Sequence, residues 1–227
     1  MGKKQKTREP QYHVHLDVRD KKGVVRFGLN ANYAWHTDPK HFLFTLSRYK
    51  FVSKMLAGRE KVLEIGCGDA MGTRLVQQTV GHMTAVDLDP IYVEDIHERA
   101  DADWPMECFV HDVTEKPVPG EFDAVYTLDV LEHIAPEKED QFMTNVLASL
   151  STGGVFLAGV PSLTSQQHAH PKSLEGHVNC KDGDDFKAAM EKWFHNVFLF
   201  SMNDEVVHTG FFPMAHYLFA LCSAKRR

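Results

Sequence analysis

Two closely spaced glycines and several carboxylates stand where predicted strands of this 227-residue chain end. The largely apolar run 62–65 breaks into Gly66 and Gly68, and a third glycine, Gly72, precedes a helical pattern. Two glycines one residue apart, between a strand and a helix, let a ligand approach the backbone closely. The sequence therefore predicts a ligand-binding turn at this position.

The glycine spacing and the neighbouring charges indicate which ligand suits the turn. A pyrophosphate-binding turn reads G-x-G-x-x-G, whereas the third glycine here comes one residue later. Glu64 and Asp69 add negative charge, which would repel a pyrophosphate and suit a cationic amino group or a sulfonium; Asp69 could equally cap the following helix. Asp87 lies about 20 residues past the turn, where a carboxylate can accept both ribose hydroxyls. These features favour a nucleoside with a cationic tail.

Strands and helices alternate after residue 60. Continuous apolar strands that alternate with helices predict an α/β fold with a doubly wound, mainly parallel sheet. We expect seven strands, the last of them antiparallel. Ligands of such sheets bind outside the carboxyl ends of the strands, so the residues at these ends are the candidates for function.

Five segments, in order, resemble the class I S-adenosylmethionine-dependent methyltransferases. They read VLEIGCGDAMG, AVDLDP, FVHDV, FDAVYTLDVLEHI and LSTGGVFLAGVP, and the resemblance covers residues 60–161. It implies a Rossmann-like fold, S-adenosyl-L-methionine as the cofactor and methyl transfer as the activity.

The resemblance also implies a role for individual residues at the strand ends. Glu64 would order the glycine turn, Asp87 would bind the ribose, and Asp129 would contact the methionine end. The full implied set of cofactor-binding residues is Glu64, Gly66, Cys67, Gly68, Asp87, Leu88, Asp112, Val113, Leu128 and Asp129. In this set Leu88, Asp112 and Val113 would contact the adenine.

The DVLEH segment has two interpretations. Asp129, Glu132 and His133 resemble a pattern that binds a divalent metal in some O-methyltransferases, where the ion lowers the pKa of a substrate hydroxyl. The same pattern occurs in metal-free members, where the glutamate and histidine stabilise the loop. We predict no metal, and the alternative is a magnesium-assisted O-methyltransferase that uses these three residues.

Two polar loops are predicted to face the acceptor. The loop 162–180 contains three histidines, and a neutral imidazole suits a base for a hydroxyl or an amine. We expect the base to be His177 or His170, with His133 as a further candidate. A second loop, which is either an ordinary hairpin tip or part of the acceptor cavity, carries Asn203, Asp204, Glu205 and His208.

The N-terminal part is predicted to differ from the rest. We expect a disordered basic tail over residues 1–11, a lid or cap with a helix over 12–58, and the cofactor-binding domain over 59–227. Residues 12–29 read as a hairpin that turns at 20–23. Three residues could either close over the active site as part of a lid or belong to an ordinary packing segment before the helix: Tyr33, Trp35 and His36.

Composition limits the partners and the rival functions. The net charge is −6, the four cysteines form no CxxC pair, and no apolar run could cross a bilayer. We expect a cytoplasmic enzyme with a polar small-molecule substrate, no nucleic acid and no membrane partner, and the oligomeric state stays open. The rivals are a nicotinamide-dependent oxidoreductase and a non-catalytic methyltransferase-like binding protein.

Overall fold

The computed structural model of the chain describes residues 5–226, which contain one eight-stranded sheet. The strands are β1 Lys61–Ile65, β2 His82–Asp87, β3 Glu107–Val110, β4 Phe122–Leu128, β5 Leu150–Pro161, β6 Phe194–Asn203, β7 Val206–His208 and β8 Tyr217–Lys225. Their order is β3-β2-β1-β4-β5-β8-β6-β7. Strands β1 to β5 are parallel, and β8 is antiparallel to both β5 and β6. The predicted sheet with its antiparallel last strand is confirmed, and β7 adds a short eighth strand.

Helices cover both faces of the sheet. They are α1 His13–Lys22, α2 Leu29–Thr37, α3 Pro39–Met55, α4 Thr73–Gln77, α5 Pro90–Glu98, α6 Pro136–Ser149, α7 Pro171–Gly176 and α8 Gly183–Glu191. Alternate strand residues face opposite ways. Leu63 packs in one core with α6 and α8, whereas its neighbour Val62 packs in another with α3 and α4. Within residues 5–226 we find no helix with the length and apolar character needed to cross a membrane.

Helix α3 begins where the sequence predicts. The carboxylate of Asp38 accepts a hydrogen bond from the His41 amide at 3.3 Å, and Pro39 occupies the first helical position. Its buried side chains Tyr49 and Val52 lie on the predicted stripe. The helix thereby crosses the sheet close to the carboxyl ends of β1 and β4.

The predicted hairpin over residues 12–29 is wrong, because residues 13–22 form α1. Its alternation of apolar and polar residues resembles a strand, but α1 buries none of its residues. A two-stranded hairpin with no third strand to pack against is only marginally stable in water. Of the predicted tail, residues 1–4 lie outside the described part and Pro10–Tyr12 form a short 3-10 helix.

Candidate active site

The glycine turn after β1 requires its two glycines. Gly66 and Gly68 have φ values of 76° and 52°, in the left-handed region that disfavours side chains. A Cβ atom at Gly66 would collide with Cγ2 of Val130, and one at Gly68 would lie 2.6 Å from Nδ2 of Asn30. The turn therefore passes directly beneath the segment after β4 and beneath α2.

Glu64 anchors this turn from inside the protein. Its side chain is 1% exposed and accepts hydrogen bonds from the hydroxyls of Tyr49, Thr73 and Tyr126 at 2.8, 2.5 and 2.7 Å. Burial raises the pKa of Glu64, and the three hydroxyls partly offset that rise. Its oxygens are thus directed at α3, α4 and β4, which agrees with an ordering role.

Asp87 at the end of β2 binds the turn from the side. One carboxylate oxygen accepts the Gly68 amide at 2.8 Å and the other accepts the Asp89 amide at 2.9 Å. The carboxylate therefore lies beside the glycine turn, at the adjacent strand end. This is the position that the sequence predicts for the residue that binds the ribose.

The remaining predicted cofactor residues border the same edge. Leu88 is 64% exposed directly after β2. Asp112 follows β3 and accepts hydrogen bonds from the amide and hydroxyl of Thr114 at 2.8 and 2.7 Å. Three of the predicted residues are buried: Cys67, Val113 and Leu128. An exposed apolar side chain and a polar strand end thus flank the turn.

Asp69 caps a helix other than the one we considered. Its carboxylate accepts the Ala31 amide in the first turn of α2 at 2.7 Å, and also the Met71 amide at 3.0 Å. Asn30 in the same turn of α2 accepts a hydrogen bond from the Tyr92 hydroxyl at 2.8 Å. Helix α2 is thereby fixed over the glycine turn. Of the three predicted lid residues, Tyr33 and His36 are exposed, and Trp35 packs against Phe27.

Asp129, after β4, forms an ion pair that the sequence did not indicate. It has a φ of 56° and accepts a hydrogen bond from Nη1 of the buried Arg48 at 2.7 Å. The guanidinium lies 4.0 Å from the ring centroid of Tyr217, and its Nε has no hydrogen-bond partner among residues 5–226. Arg48 lies one helical turn before Val52, so a charge within the apolar stripe of α3 was the available signal.

Three polar side chains converge next to this ion pair. Glu132, His133 and His177 each offer one ligand atom, and these atoms lie within 4.8 Å of one another. The histidine loop reaches this point because the amides of Val178 and Asn179 donate to the Glu132 carbonyl at 2.9 and 3.0 Å. The site thus combines one carboxylate with two imidazoles.

Of the three histidines predicted as the base, two lie next to each other and the third lies outside their cluster. His133 and His177 have ring centroids 5.1 Å apart, whereas the cluster does not include His170. The converging group contains Glu132 and His133 of the alternative set together with His177, whereas Asp129 pairs with Arg48.

The second polar loop is a hairpin that borders a cleft. His208 contacts the Asn203 side chain at 2.9 Å across the β6–β7 hairpin. Asp204 and Glu205 at the hairpin tip line a cleft of about 530 Å³ together with the start of α3, including Lys40. The loop is thus a hairpin whose tip borders a cleft.

We expect alanine at Gly66 to disrupt the turn much more than alanine at Gly58. Both glycines have positive φ, 76° and 81°, but a Cβ at Gly58 would meet nothing within 4 Å. Gly58→Ala should therefore cost only the backbone strain, roughly 1–2 kcal/mol in the free energy of unfolding. Gly66→Ala adds the collision with Val130 and should cost more in chemical denaturation. Equal losses in the two variants would contradict the close approach at Gly66.

Two histidines near Arg48 should make stability depend on pH. Burial, and then the Arg48 cation, lower the pKa of His41 and of His216 below 6.5. The folded protein thus binds these protons less readily than the unfolded chain. Their contribution is complete above pH 6.5 and is lost as the pH falls below it.

The measurement is the drop in Tm between pH 7.5 and 5.5. We expect the double variant His41→Asn/His216→Asn to show a smaller drop than the natural protein. The comparison cancels the other groups that titrate in this interval. The same drop in both proteins would contradict the assignment.

Comparisons with known proteins agree with this geometry. Residues 62–154 match the family model described as a methyltransferase domain. A probable S-adenosylmethionine-dependent methyltransferase of Mycolicibacterium smegmatis is 30% identical over 116 residues, which are 50% of this chain and 42% of the relative. The mitochondrial ubiquinone biosynthesis O-methyltransferase of Schizosaccharomyces pombe is 25% identical over 145 residues, 60% of this chain and 52% of the relative. The chain thus spans about half the length of these relatives.

Solved structures share the fold at low sequence identity. The methyltransferase domain of bacterial CtHen1-C superposes with a TM-score of 0.65 at 14% identity, covering 81% of this chain and all of that one. The N-methyltransferase NodS from Bradyrhizobium japonicum WM9, in complex with S-adenosyl-L-homocysteine, superposes with a TM-score of 0.59 at 16% identity. That match covers 82% of this chain and 86% of NodS.

Proposed function

We propose that the chain is a class I S-adenosylmethionine-dependent methyltransferase that transfers a methyl group to an oxygen or nitrogen of a polar small molecule, because residues 62–154 match the model of a methyltransferase domain and a probable methyltransferase is 30% identical over half of the chain. The cofactor of this family is S-adenosyl-L-methionine, which carries the methyl group on a sulfonium. The observation that best supports the proposal is the Asp87 carboxylate, held by the Gly68 amide beside a turn in which Gly66 leaves no room for a Cβ atom.

We assign the cofactor to the carboxyl edge of β1 to β4. Asp87 would accept the ribose hydroxyls, Asp112 would face the adenine amino group, and Asp129 would face the methionine end. Negative charge at this edge suits the amino group and the sulfonium of the cofactor. The Arg48 cation fixes the carboxylate of Asp129 at 2.7 Å, so its orientation is set before the ligand arrives.

Methyl transfer places a simple demand on the protein. A lone pair of the acceptor attacks the methyl carbon in line, the carbon–sulfur bond breaks, and its electron pair stays on sulfur to give S-adenosyl-L-homocysteine. Alignment of the two reactants supplies much of the rate. The acceptor must also lose its proton, and the imidazoles of His133 and His177 lie where the loops converge beyond Asp129.

The cleft at the β6–β7 hairpin supports a polar acceptor with a hydroxyl or an amine. Besides Leu43 and Phe44, it is lined by three carboxylates and one lysine: Asp38, Asp204, Glu205 and Lys40. A net charge of −6 disfavours a long polyanion. Solved structures with this fold include a small RNA methyltransferase, HEN1, at 12% identity, so an RNA acceptor is the alternative to test.

We propose that the helices before β1 act as a cover for the cofactor. Helix α2 lies over the glycine turn through the Ala31 amide and the side chain of Asn30. Such a cover would exclude water from the sulfonium. The cover over 12–58 and the cofactor domain over 59–227 would then function together.

The test is transfer of a labelled methyl group from S-adenosyl-L-methionine. The acceptor panel contains sugars, sugar nucleotides, hydroxylated aromatic compounds, amines and short single-stranded and double-stranded RNA. We expect label in a small hydroxyl or amine compound. Label only in RNA would overturn the acceptor class. Tight binding of S-adenosyl-L-homocysteine without transfer to any acceptor would favour a non-catalytic binding protein.

A further inference from the structure

The cluster of Glu132, His133 and His177 has an unsatisfied carboxylate at its centre. Glu132 is 1% exposed, and its Oε2 atom has no hydrogen-bond partner among residues 5–226. One ligand atom from each of the three side chains lies within 4.8 Å of the others. We propose that these three residues bind one divalent transition-metal ion.

The two imidazoles are oriented as metal ligands usually are. Nδ1 of His133 lies 2.8 Å from the Gly176 carbonyl oxygen, and Nδ1 of His177 lies 2.7 Å from Oε1 of Gln166. Because a carbonyl oxygen can only accept, both Nδ1 atoms carry the proton. Each Nε2 atom then has a free lone pair. A metal-binding histidine typically donates its other N–H to a carbonyl or carboxylate in this way.

The buried carboxyl group of Glu132 also lacks a partner. A polar group removed from water without a partner is costly. The nearby Arg48 donates to Asp129 at 2.7 Å, and Oε2 of Glu132 has no hydrogen-bond partner among residues 5–226. A metal ion next to Oε2 would supply the missing partner.

The ligand set determines the type of ion. Magnesium and calcium prefer oxygen ligands, whereas imidazole suits zinc, iron and other first-row ions. Two histidines with one carboxylate leave coordination positions open, as in catalytic sites. Asp129 is absent from the set because its carboxylate pairs with Arg48. The site therefore differs from the magnesium site of Asp129, Glu132 and His133 considered from the sequence.

The role of the ion rests on the proposed function, although its binding does not. An acceptor hydroxyl that takes an open coordination position would have its pKa lowered by the metal charge. The hydroxyl would then lose its proton to solvent, and its oxygen would attack the methyl group. Under this arrangement His133 and His177 hold the ion, and neither needs to act as the base.

Binding can be measured without any reaction. Purified protein is stripped with a chelator and titrated with Mn²⁺, and the free ion is followed by electron paramagnetic resonance. Zn²⁺ then competes for the same site. We expect one site per chain that Zn²⁺ displaces and that Mg²⁺ at equal concentration does not. His177→Asn and Glu132→Gln should each weaken binding at least about tenfold. Gln166→Ala, which removes the partner of His177 Nδ1 and a hydrogen bond to the Ser162 carbonyl, should weaken it by roughly tenfold.

The control is His168→Asn, an exposed histidine of the same loop outside the cluster. Its affinity should equal that of the natural protein. Unchanged affinity in His177→Asn, or no saturable Mn²⁺ or Zn²⁺ site in the natural protein, would overturn the proposal. Because His177 is only half-buried, its variant remains interpretable if Glu132→Gln fails to fold. Binding of S-adenosyl-L-homocysteine is measured in parallel, so that failure of the metal site and failure of the proposed function are separate results.

Discussion

Asp87→Ala is expected to weaken the binding of S-adenosyl-L-homocysteine by at least about a hundredfold, because hydrogen bonds to a charged group contribute roughly 1.5–3 kcal/mol each. The variant loses the proposed bonds to the ribose and also the carboxylate that accepts the Gly68 amide at 2.8 Å. Both the ligand contact and the support of the turn are removed. Isothermal calorimetry measures the affinity directly.

Asp123 provides a matched control at the opposite edge of the sheet. Its carboxylate also accepts two backbone amides, those of Glu60 and Lys61, at 2.8 and 2.9 Å. Asp123→Ala should lower the free energy of unfolding and leave the affinity for S-adenosyl-L-homocysteine unchanged. Equal affinity in Asp87→Ala and the natural protein would show that the ribose binds elsewhere.

His177→Asn is expected to lower kcat by about a hundredfold or more, the usual scale for loss of a group that moves a proton. The affinity for S-adenosyl-L-homocysteine should change little, since His177 lies beyond Asp129 and not at the glycine turn. The expected loss is the same whether His177 accepts the proton or holds an ion that lowers the pKa of the acceptor hydroxyl. Kinetics with the acceptor found in the labelled-methyl assay give kcat.

His170→Asn serves as the comparison within the same loop. The cluster with Glu132 does not include His170. We expect His170→Asn to retain kcat within a few fold. A large loss in His170→Asn together with normal turnover in His177→Asn would reverse the assignment and place the acceptor at another part of the loop.

The placement of the glycine turn beside Asp87 at one edge of the sheet could be predicted because its pattern is local. Gly66, Gly68 and Asp87 follow predicted strands directly, and parallel strands bring their carboxyl ends to one edge whatever the details of packing. The positive φ of the glycines and the contact from the Gly68 amide to Asp87 agree with that expectation. Sequence spacing was sufficient here.

The acceptor side could not be predicted in the same way. His133 and His177 are brought together by hydrogen bonds from the loop amides of Val178 and Asn179 to the Glu132 carbonyl, more than 40 residues earlier in the chain. No periodicity encodes such a contact. Arg48 was missed for a similar reason, since its partner Asp129 lies 81 residues away.

In the N-terminal part, a local sequence pattern led to a wrong prediction of secondary structure. Alternating residues of α1 suggested a strand, but the segment is a helix that buries none of its residues. Helix α2 owes its position to the Asp69 carboxylate, which accepts the Ala31 amide. A carboxylate inside the glycine turn was visible in the sequence, but the helix that it caps was not.

The most direct measurement is a pair of calorimetric titrations of the purified natural protein, one with S-adenosyl-L-homocysteine and one with NAD⁺. We expect saturable binding of S-adenosyl-L-homocysteine with one site per chain, and no heat of binding with NAD⁺. Binding of NAD⁺ without binding of S-adenosyl-L-homocysteine would contradict the proposed function and would favour an oxidoreductase.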